Sequence, residues 1–266
     1  MTAHVVQFSG GIGSFAAAVR VAEKHGTGNL TLLIADTGIE DQDLWRFADD
    51  TSRLLGVPLT KVSDGRTPWQ VFRDKRFLGN SRLAPCTRVL KQIPCRKWME
   101  AHKDPAHTLV YIGIEPTTRD RARIPAIAHA WKPWRTRFPL CSKWEPPLTK
   151  EELFQEARAL GVAPPRLYEL GLPHNNCGGT CVKAGMRQWR LLLDVMPDRY
   201  AYAEAQEEDL RRLLGPVAIL RQQRKGVSRP LPLAELRRTH QDAPMLPDGR
   251  DTTTADRDEM TKEGVR

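Results

Sequence analysis

The chain has 266 residues, a net charge of +9 and five cysteines. That length supports one large domain, or a domain with an appended lobe, around a full core; no apolar run approaches the roughly 18–20 residues of a membrane span. An odd cysteine count and a start, Met1-Thr2-Ala3-His4, without a charged n-region point to cytoplasmic thiols rather than a secreted disulfide scaffold, and the excess of Lys and Arg favours anionic partners over a merely solvated basic surface by no more than even odds.

Residues 3–8 form a short apolar run ending in Ser9-Gly10-Gly11, and residues 14–25 place Ala and Val at helical spacing until Gly26. Residues 30–35 are too short for a helix and β-branched enough for a strand. Leu44, Phe47, Ala48, Leu54 and Leu55 repeat at helical spacing over 41–55, with Gly56 as a stop. Residues 58–62 and 108–114 are further strand candidates. Strands separated by helices predict an α/β fold, a parallel sheet flanked by helices, followed by a C-terminal helical lobe.

Residues 115–148 are dense in Arg, Pro and Trp and read as an irregular functional loop with a short strand near 138–140. Thr149-Lys150-Glu151-Glu152 reads as a capping box opening a helix through Leu160. A short segment runs from Pro164-Pro165 to Gly171, and 174–185 form a Cys/Gly/Asn loop. Pro197 and Gly215 bracket an amphipathic helix over 197–214. From residue 240 the chain is polar and reads as a disordered tail.

The loop Ser9-Gly10-Gly11-Ile12-Gly13-Ser14 lies between a strand and a helix. Glycines let successive N–H groups face one point, and the following helix adds free donors and its positive dipole end, so a phosphate fits there. A plain Gly-rich turn is the bland reading. Gly11-x-Gly13-x-x-Ala16, with Asp36 ending the second strand, also satisfies the dinucleotide pattern of an NAD-type oxidoreductase. The remaining reading is a pyrophosphate loop; it is not a Walker A loop, because no Gly-Lys-Ser/Thr follows.

Four segments together resemble one family. The loop 9–14, Asp36-Thr37-Gly38 with Glu40, Pro85-Cys86-Thr87-Arg88 with Leu90-Lys91 and Pro94, and Gly113 with Arg119 are similar to the motifs of the phosphoadenosine phosphosulfate (PAPS) reductase-like branch of the adenine nucleotide alpha hydrolase superfamily. The likeness runs from Ala3 to about Trp189. It implies a Rossmann-like nucleotide-binding domain over 1–148, a helical, Cys-containing lobe over 149–239 and the tail over 240–266. It implies ATP or PAPS with Mg²⁺, held by Ser9, Gly10, Gly11, Gly13, Ser14, Asp36, Thr37 and Arg88. Arg119 and Cys86 become the catalytic candidates. The family loop often carries Asp where this chain has Gly13. The chain also lacks a cysteine after Cys181, an adjacent Cys-Cys pair and a Cys-x-x-Cys, all features of sulfonucleotide reductases.

Cys177-Gly178-Gly179-Thr180-Cys181 follows His174-Asn175-Asn176, and Lys183 beside it favours thiolate. Cys86, Cys177 and Cys181 would give three thiolates, with His174, Cys95 or a substrate as a fourth ligand. An iron–sulfur cluster, a Zn²⁺ site, a redox pair and plain thiols all stay open. Cys141 reads as a core thiol. Arg121 and Arg123 read as phosphate contacts or a solvated face. Trp131, Trp134 and Trp144 interleave with Lys132, Arg135, Arg137 and Lys143, which suits core packing better than nucleic-acid stacking. The basic run from Arg221 to Arg238 reads as solvated surface.

The expectation is an adenine-nucleotide-dependent enzyme. With ATP, an acceptor oxygen attacks the α-phosphate, giving an adenylate and pyrophosphate; with PAPS, a thiol attacks the sulfonate sulfur. Asp36 contacts ribose, base or Mg²⁺, and Arg119 neutralises developing charge. The acceptor is open, nucleic acid included, and so are a homodimer and a non-catalytic nucleotide- or nucleic-acid-binding module.

Overall fold

The computed structural model describes residues 1–142, 148–224 and 226–241. Strands β1 (Ala3–Gln7), β2 (Leu30–Asp36), β3 (Leu59–Ser63), β4 (Thr108–Ile112) and β5 (Arg135–Arg137) form one parallel sheet in the order β3-β2-β1-β4-β5. Between them lie α1 (Ile12–His25), α2 (Gln42–Leu55), α3 (Pro68–Lys75), a π-helical turn Thr87–Gln92 running into α4 (Ile93–His102), and the short α5 (Thr118–Arg121) and α6 (Ile124–Ala130). After the sheet come α7 (Lys150–Ala159), α8 (Arg166–Glu169), α9 (Met186–Val195), α10 (Pro197–Leu214), an antiparallel hairpin of β6 (Leu220–Arg224) and β7 (Val227–Leu231), and α11 (Leu233–Gln241).

Strand side chains alternate between two faces, and the two faces carry separate cores. Val6, Leu32 and Ile34 point to one side and pack with Phe15 and Val19 of α1 and Phe47 of α2. Val5, Leu33 and Val110 point to the other and pack with Cys95 and Met99 of α4 and with Trp134. Each such side chain contributes about 1.5–3 kcal/mol on burial. Central strands buried on both faces read as continuous apolar runs, as 30–35 does.

The helix α7 begins with the expected capping box: Thr149 and Glu152 satisfy each other's backbone N–H groups. Its Leu153 and Ala157 join the α1 side of the sheet core. A third core holds the C-terminal elements together. It joins Trp189, Tyr200, Leu210 and Leu236 to Trp69 and Phe72 of α3. Glu207, buried in it, accepts from the N–H groups of Ile219 (2.8 Å) and Leu233 (2.6 Å), pinning the hairpin to α10.

The strand expected near 138–140 lies instead at Arg135–Arg137, because Pro139 has no N–H for a ladder and 139–141 close as a 3₁₀ turn. The loop expected over 115–148 contains α5 and α6. Trp144, Lys143 and the tail beyond 241 lie outside the described residues. No helix among the described residues is long and apolar enough to cross a membrane.

Candidate nucleotide and thiol site

The connection direction reverses between β1 and β4, so a crevice opens at their C-terminal ends. The loop 9–14 stands there. Gly10 has φ +72°, and a Cβ on it would meet Leu44 Cγ at 2.5 Å. The Ser14 hydroxyl, buried, accepts from the Ser9 N–H (3.1 Å) and Ser9 Oγ (3.2 Å) and donates to the Gly11 carbonyl (2.8 Å). Ser14 therefore braces the loop, while exposed Ser9 is the serine that faces solvent. Among the described residues no acceptor pairs the N–H of Gly10 or Gly11.

Gly13 lies against Gly113, which follows β4. A Cβ on Gly13 would stand 2.9 Å from the Gly113 carbonyl oxygen and 3.5 Å from Glu115 Cγ. Glu115 thus stands beside this point of the loop, and it pairs with Lys150 Nζ at 3.4 Å. Sequence reasoning missed Glu115; its place two residues after Gly113 was the available signal.

The C-terminal lobe covers the loop from the other side. Tyr168 Oη accepts from the Ile12 N–H at 3.3 Å. Burial pushes the Tyr168 hydroxyl up to about 12, so it stays protonated. Asn175, buried, donates from Nδ2 to the Gly10 carbonyl at 2.7 Å. Arg166 forks onto buried Asp41, the N-cap of α2, at 2.8 and 2.7 Å. Burial alone would raise the Asp41 carboxyl, but the Arg166 hydrogen bond, the Asp43 N–H and the charges of Arg166 and Arg199 together hold the group below its ordinary value. None of these covering residues carried a sequence signal.

At the end of β2, Asp36 accepts from the Gly38 N–H (2.8 Å) and pairs with Lys61 (2.8 Å). Thr37 donates to buried Glu40 Oε1 at 2.8 Å. Lys91 Nζ reaches the same oxygen at 3.3 Å, and the Cys177 N–H donates to Glu40 Oε2. Glu40 therefore ties three of the sequence motifs together: the strand-end acid, the middle motif and the cysteine loop.

The cysteines gather there. Cys86, Cys177 and Cys181 share one apolar cluster with Val182 and Ala184, and Cys177 hydrogen-bonds Cys181. That bond, helped by the Lys183 N–H and the ammonium of Lys91, draws the Cys181 thiol down to about 6. Cys177 moves well up, as the hydrogen-bond donor of the pair and through burial, and burial also raises Cys86. Cys177 has φ +53°, unusual for a residue with a Cβ; Thr180 Oγ1 and N–H both close onto its carbonyl.

His174 does not join the thiols. Its charged neighbours are Lys150, Glu115, Asp120 and Arg123, whereas the thiols border Lys91, Glu40 and Lys183. Cys95 lines the sheet core on α4 instead. Among the described residues no group of three or more His, Cys, Asp or Glu is arranged to hold a metal ion. The expected zinc set with His174 is therefore not assembled, and the three thiols stand as a hydrogen-bonded pair with a neighbour.

Beside the loop, a cavity of about 120 Å³ is lined by Gln7, Phe8, Ser9, Leu33, Lys91 and Trp131. Gln92 and Trp131 also border an outer cleft of about 340 Å³ with Arg88 and Arg96. Arg88 thus lies at the outer cleft rather than on the loop. Arg119 is exposed on α5, and its guanidinium has no partner among the described residues. Trp134 is buried in the core, as expected, and Trp131 packs against the same core, half-buried between the two clefts. Cys141 is half-buried and donates its S–H to the Ile114 carbonyl at 3.3 Å.

A scan against protein-family models found no match to this chain. A search of curated proteins likewise found none.

Proposed function

We propose that the chain is an adenine-nucleotide-dependent enzyme of the PAPS reductase-like type, binding ATP or a sulfonucleotide at loop 9–14. One observation carries the reading. The loop and Gly113, a hundred residues apart in sequence, pack backbone to backbone at the switch point of a parallel sheet. Side chains are excluded there and the free N–H groups of Gly10 and Gly11 remain, which is the requirement for cradling phosphate oxygens.

In this reading the α1 N-terminus and the loop hold the phosphates. Arg119, unpaired, supplies the mobile charge that offsets negative charge developing on the leaving group. Asp36 turns to the ribose, the base or magnesium by releasing Lys61, a pair half-exposed and so worth little to break. Magnesium bound with the nucleotide would neutralise phosphate charge. With ATP, an acceptor oxygen attacks the α-phosphorus and pyrophosphate leaves with the bonding electron pair. With a sulfonucleotide, a thiolate attacks the sulfonate sulfur and the nucleotide phosphate leaves. Cys181, not Cys86, is the thiol held as thiolate near neutral pH. Among the described residues the thiols present no assembled ligand set for iron or zinc.

The strand order is shared with dinucleotide-binding folds, so the test must separate the two. Thermal shifts are measured with ATP and Mg²⁺, PAPS, adenylyl sulfate, NAD(H) and NADP(H). A ligand at about 100 times its Kd adds roughly 2.7 kcal/mol. Stabilisation by ATP or a sulfonucleotide, and not by the nicotinamide pair, is the expected result. Stabilisation by NAD(H) or NADP(H) alone overturns the reading.

A further inference from the structure

The outer cleft is not used by the chemistry above. Its walls are Arg88, Gln92, Ile93, Arg96, Ala130 and Trp131, and its volume of about 340 Å³ falls within the range of small-ligand sites. It is a firm cleft. Arg96 is fixed by Glu100 (2.9 Å) and donates to the Ala130 carbonyl (3.0 Å) and the Lys132 carbonyl (2.8 Å), so it holds the segment that presents Trp131. Its guanidinium also lies 5.4 Å from the Trp134 ring.

One cation in the cleft remains unspent, and an indole that packs on the sheet core keeps part of its surface open. Arg88 is exposed, and its guanidinium has no partner among the described residues. Trp131 is half-buried and forms the boundary with the inner cavity that reaches Ser9. An unpaired guanidinium and an indole in one cleft match a phosphate and a planar ring. Free charge also continues outside it. Arg119 on α5 is exposed, and its guanidinium has no partner among the described residues. The segment 116–132, which carries Ala130 and Trp131 into the cleft, holds four basic residues, Arg119, Arg121, Arg123 and Lys132, against the single acid Asp120. One cation would suit a free mononucleotide; cations inside and beyond the cleft suit a chain of phosphates.

We infer that the outer cleft binds one nucleotide unit of a nucleic-acid strand, with its base stacked on Trp131 and its phosphate on Arg88. The strand enters along the α5–α6 segment that leads into Trp131. Naming that strand the acceptor rests on the proposed function; the binding itself does not, and it is tested without ATP.

The experiment measures fluorescence anisotropy of labelled single-stranded RNA and DNA oligonucleotides with the full chain, from about 50 to 200 mM salt. The wild type is expected to bind at least one of them. Arg88→Ala weakens binding several-fold and reduces the salt slope by about 0.7, the contribution of one single-strand phosphate. Trp131→Ala weakens it about ten-fold with the slope unchanged, and Trp131→Phe restores most of the loss because a ring remains to stack on. Near-ultraviolet circular dichroism verifies folding; if Trp131→Ala fails it, Arg88→Ala, at an exposed position, and Trp131→Phe carry the test. The inference is overturned by a wild type that binds neither strand at low salt. Variants that bind like the wild type also overturn it, as does a free mononucleotide that displaces the strand at equal concentration. Strand binding by a protein that ignores every nucleotide in the thermal-shift panel would sink the proposed function and leave this cleft standing.

Discussion

The carbonyl of Gly13 lies so close to Gly113 that a Cβ on Gly113 would stand 2.2 Å from its oxygen and 2.7 Å from the Ser14 nitrogen. Both obstacles are backbone, and backbone cannot swing aside as a side chain can. Gly113→Ala is therefore expected to cost about 3 kcal/mol, the upper end for overpacking, and to push the loop off β4. The thermal shift with ATP or PAPS should vanish even where the variant is folded. Gly28→Ala, with nothing within 4 Å of its Cβ, is the control and should stay within about 0.5 kcal/mol of wild type. A Gly113→Ala protein with unchanged stability and ligand response would refute the close packing.

Glu40 is the buried anchor between the strand-end motif and the cysteine loop. Glu40→Ala leaves Lys91 without its carboxylate and the Cys177 N–H without its acceptor. Breaking a fully buried pair costs about 3–5 kcal/mol. Lys91 keeps a third of its side chain exposed, so a loss of about 2–4 kcal/mol is expected here. Glu40→Gln, which keeps the volume and one acceptor, should lose less. Urea midpoints measure both, and an Ala variant within about 0.5 kcal/mol of wild type would remove Glu40 from this role.

The sheet was legible because its signals are local and periodic. The runs at 3–8, 30–35 and 108–114 became strands within two residues of their expected ends, and helix stops fell at Gly26 and Gly56. The loop and its partner Gly113 were legible as a motif. The covering residues Tyr168, Asn175 and Arg166 were not, because they act through contacts more than a hundred residues away in sequence. Glu115 and the Glu40–Lys91 tie were hidden because each looks like one more charged side chain until the fold closes. The cysteine loop could be read as thiol-rich, but only the packing shows that His174 faces different neighbours. The hairpin β6–β7, polar in sequence, gave no alternating pattern to read, since among its described residues Leu220 and Leu231 alone join the core.

Cys181 should titrate below the other thiols. Its folded value of about 6 lies below the ordinary 9.0, chiefly through the hydrogen bond from Cys177. The folded state thus favours thiolate. The linked stabilisation is complete above pH 9.0, declines as pH falls through the interval, and is gone below about 6. Iodoacetamide alkylation of Cys181, followed by mass spectrometry, should show a rate midpoint near pH 6, while Cys86 and Cys177 stay slow at neutral pH. Cys177→Ala should move that midpoint upward by removing the donor, and Lys91→Met should move it in the same direction. A wild-type midpoint near 9.0 would contradict the hydrogen-bonded pair.

Tyr168 occupies a donor that a phosphate would use. Its hydroxyl accepts from the Ile12 N–H at 3.3 Å, in the middle of the loop, and its ring is held by Phe154, 5.0 Å away between centroids, with Lys150 Nζ 5.0 Å above it. Tyr168→Phe keeps the ring and removes the acceptor, leaving the Ile12 N–H unpaired in the free protein. The free state should lose about 1 kcal/mol. A bound phosphate that takes up the same N–H regains that loss, because a ligand's effect is set by its difference between the two states. The same substitution should therefore lower the melting temperature of the free protein and tighten the nucleotide up to about five-fold. Isothermal titration of wild type and variant measures the second effect. Weaker nucleotide binding by Tyr168→Phe would mean that the hydroxyl is itself a phosphate ligand, donating its own hydrogen, rather than a group the phosphate displaces.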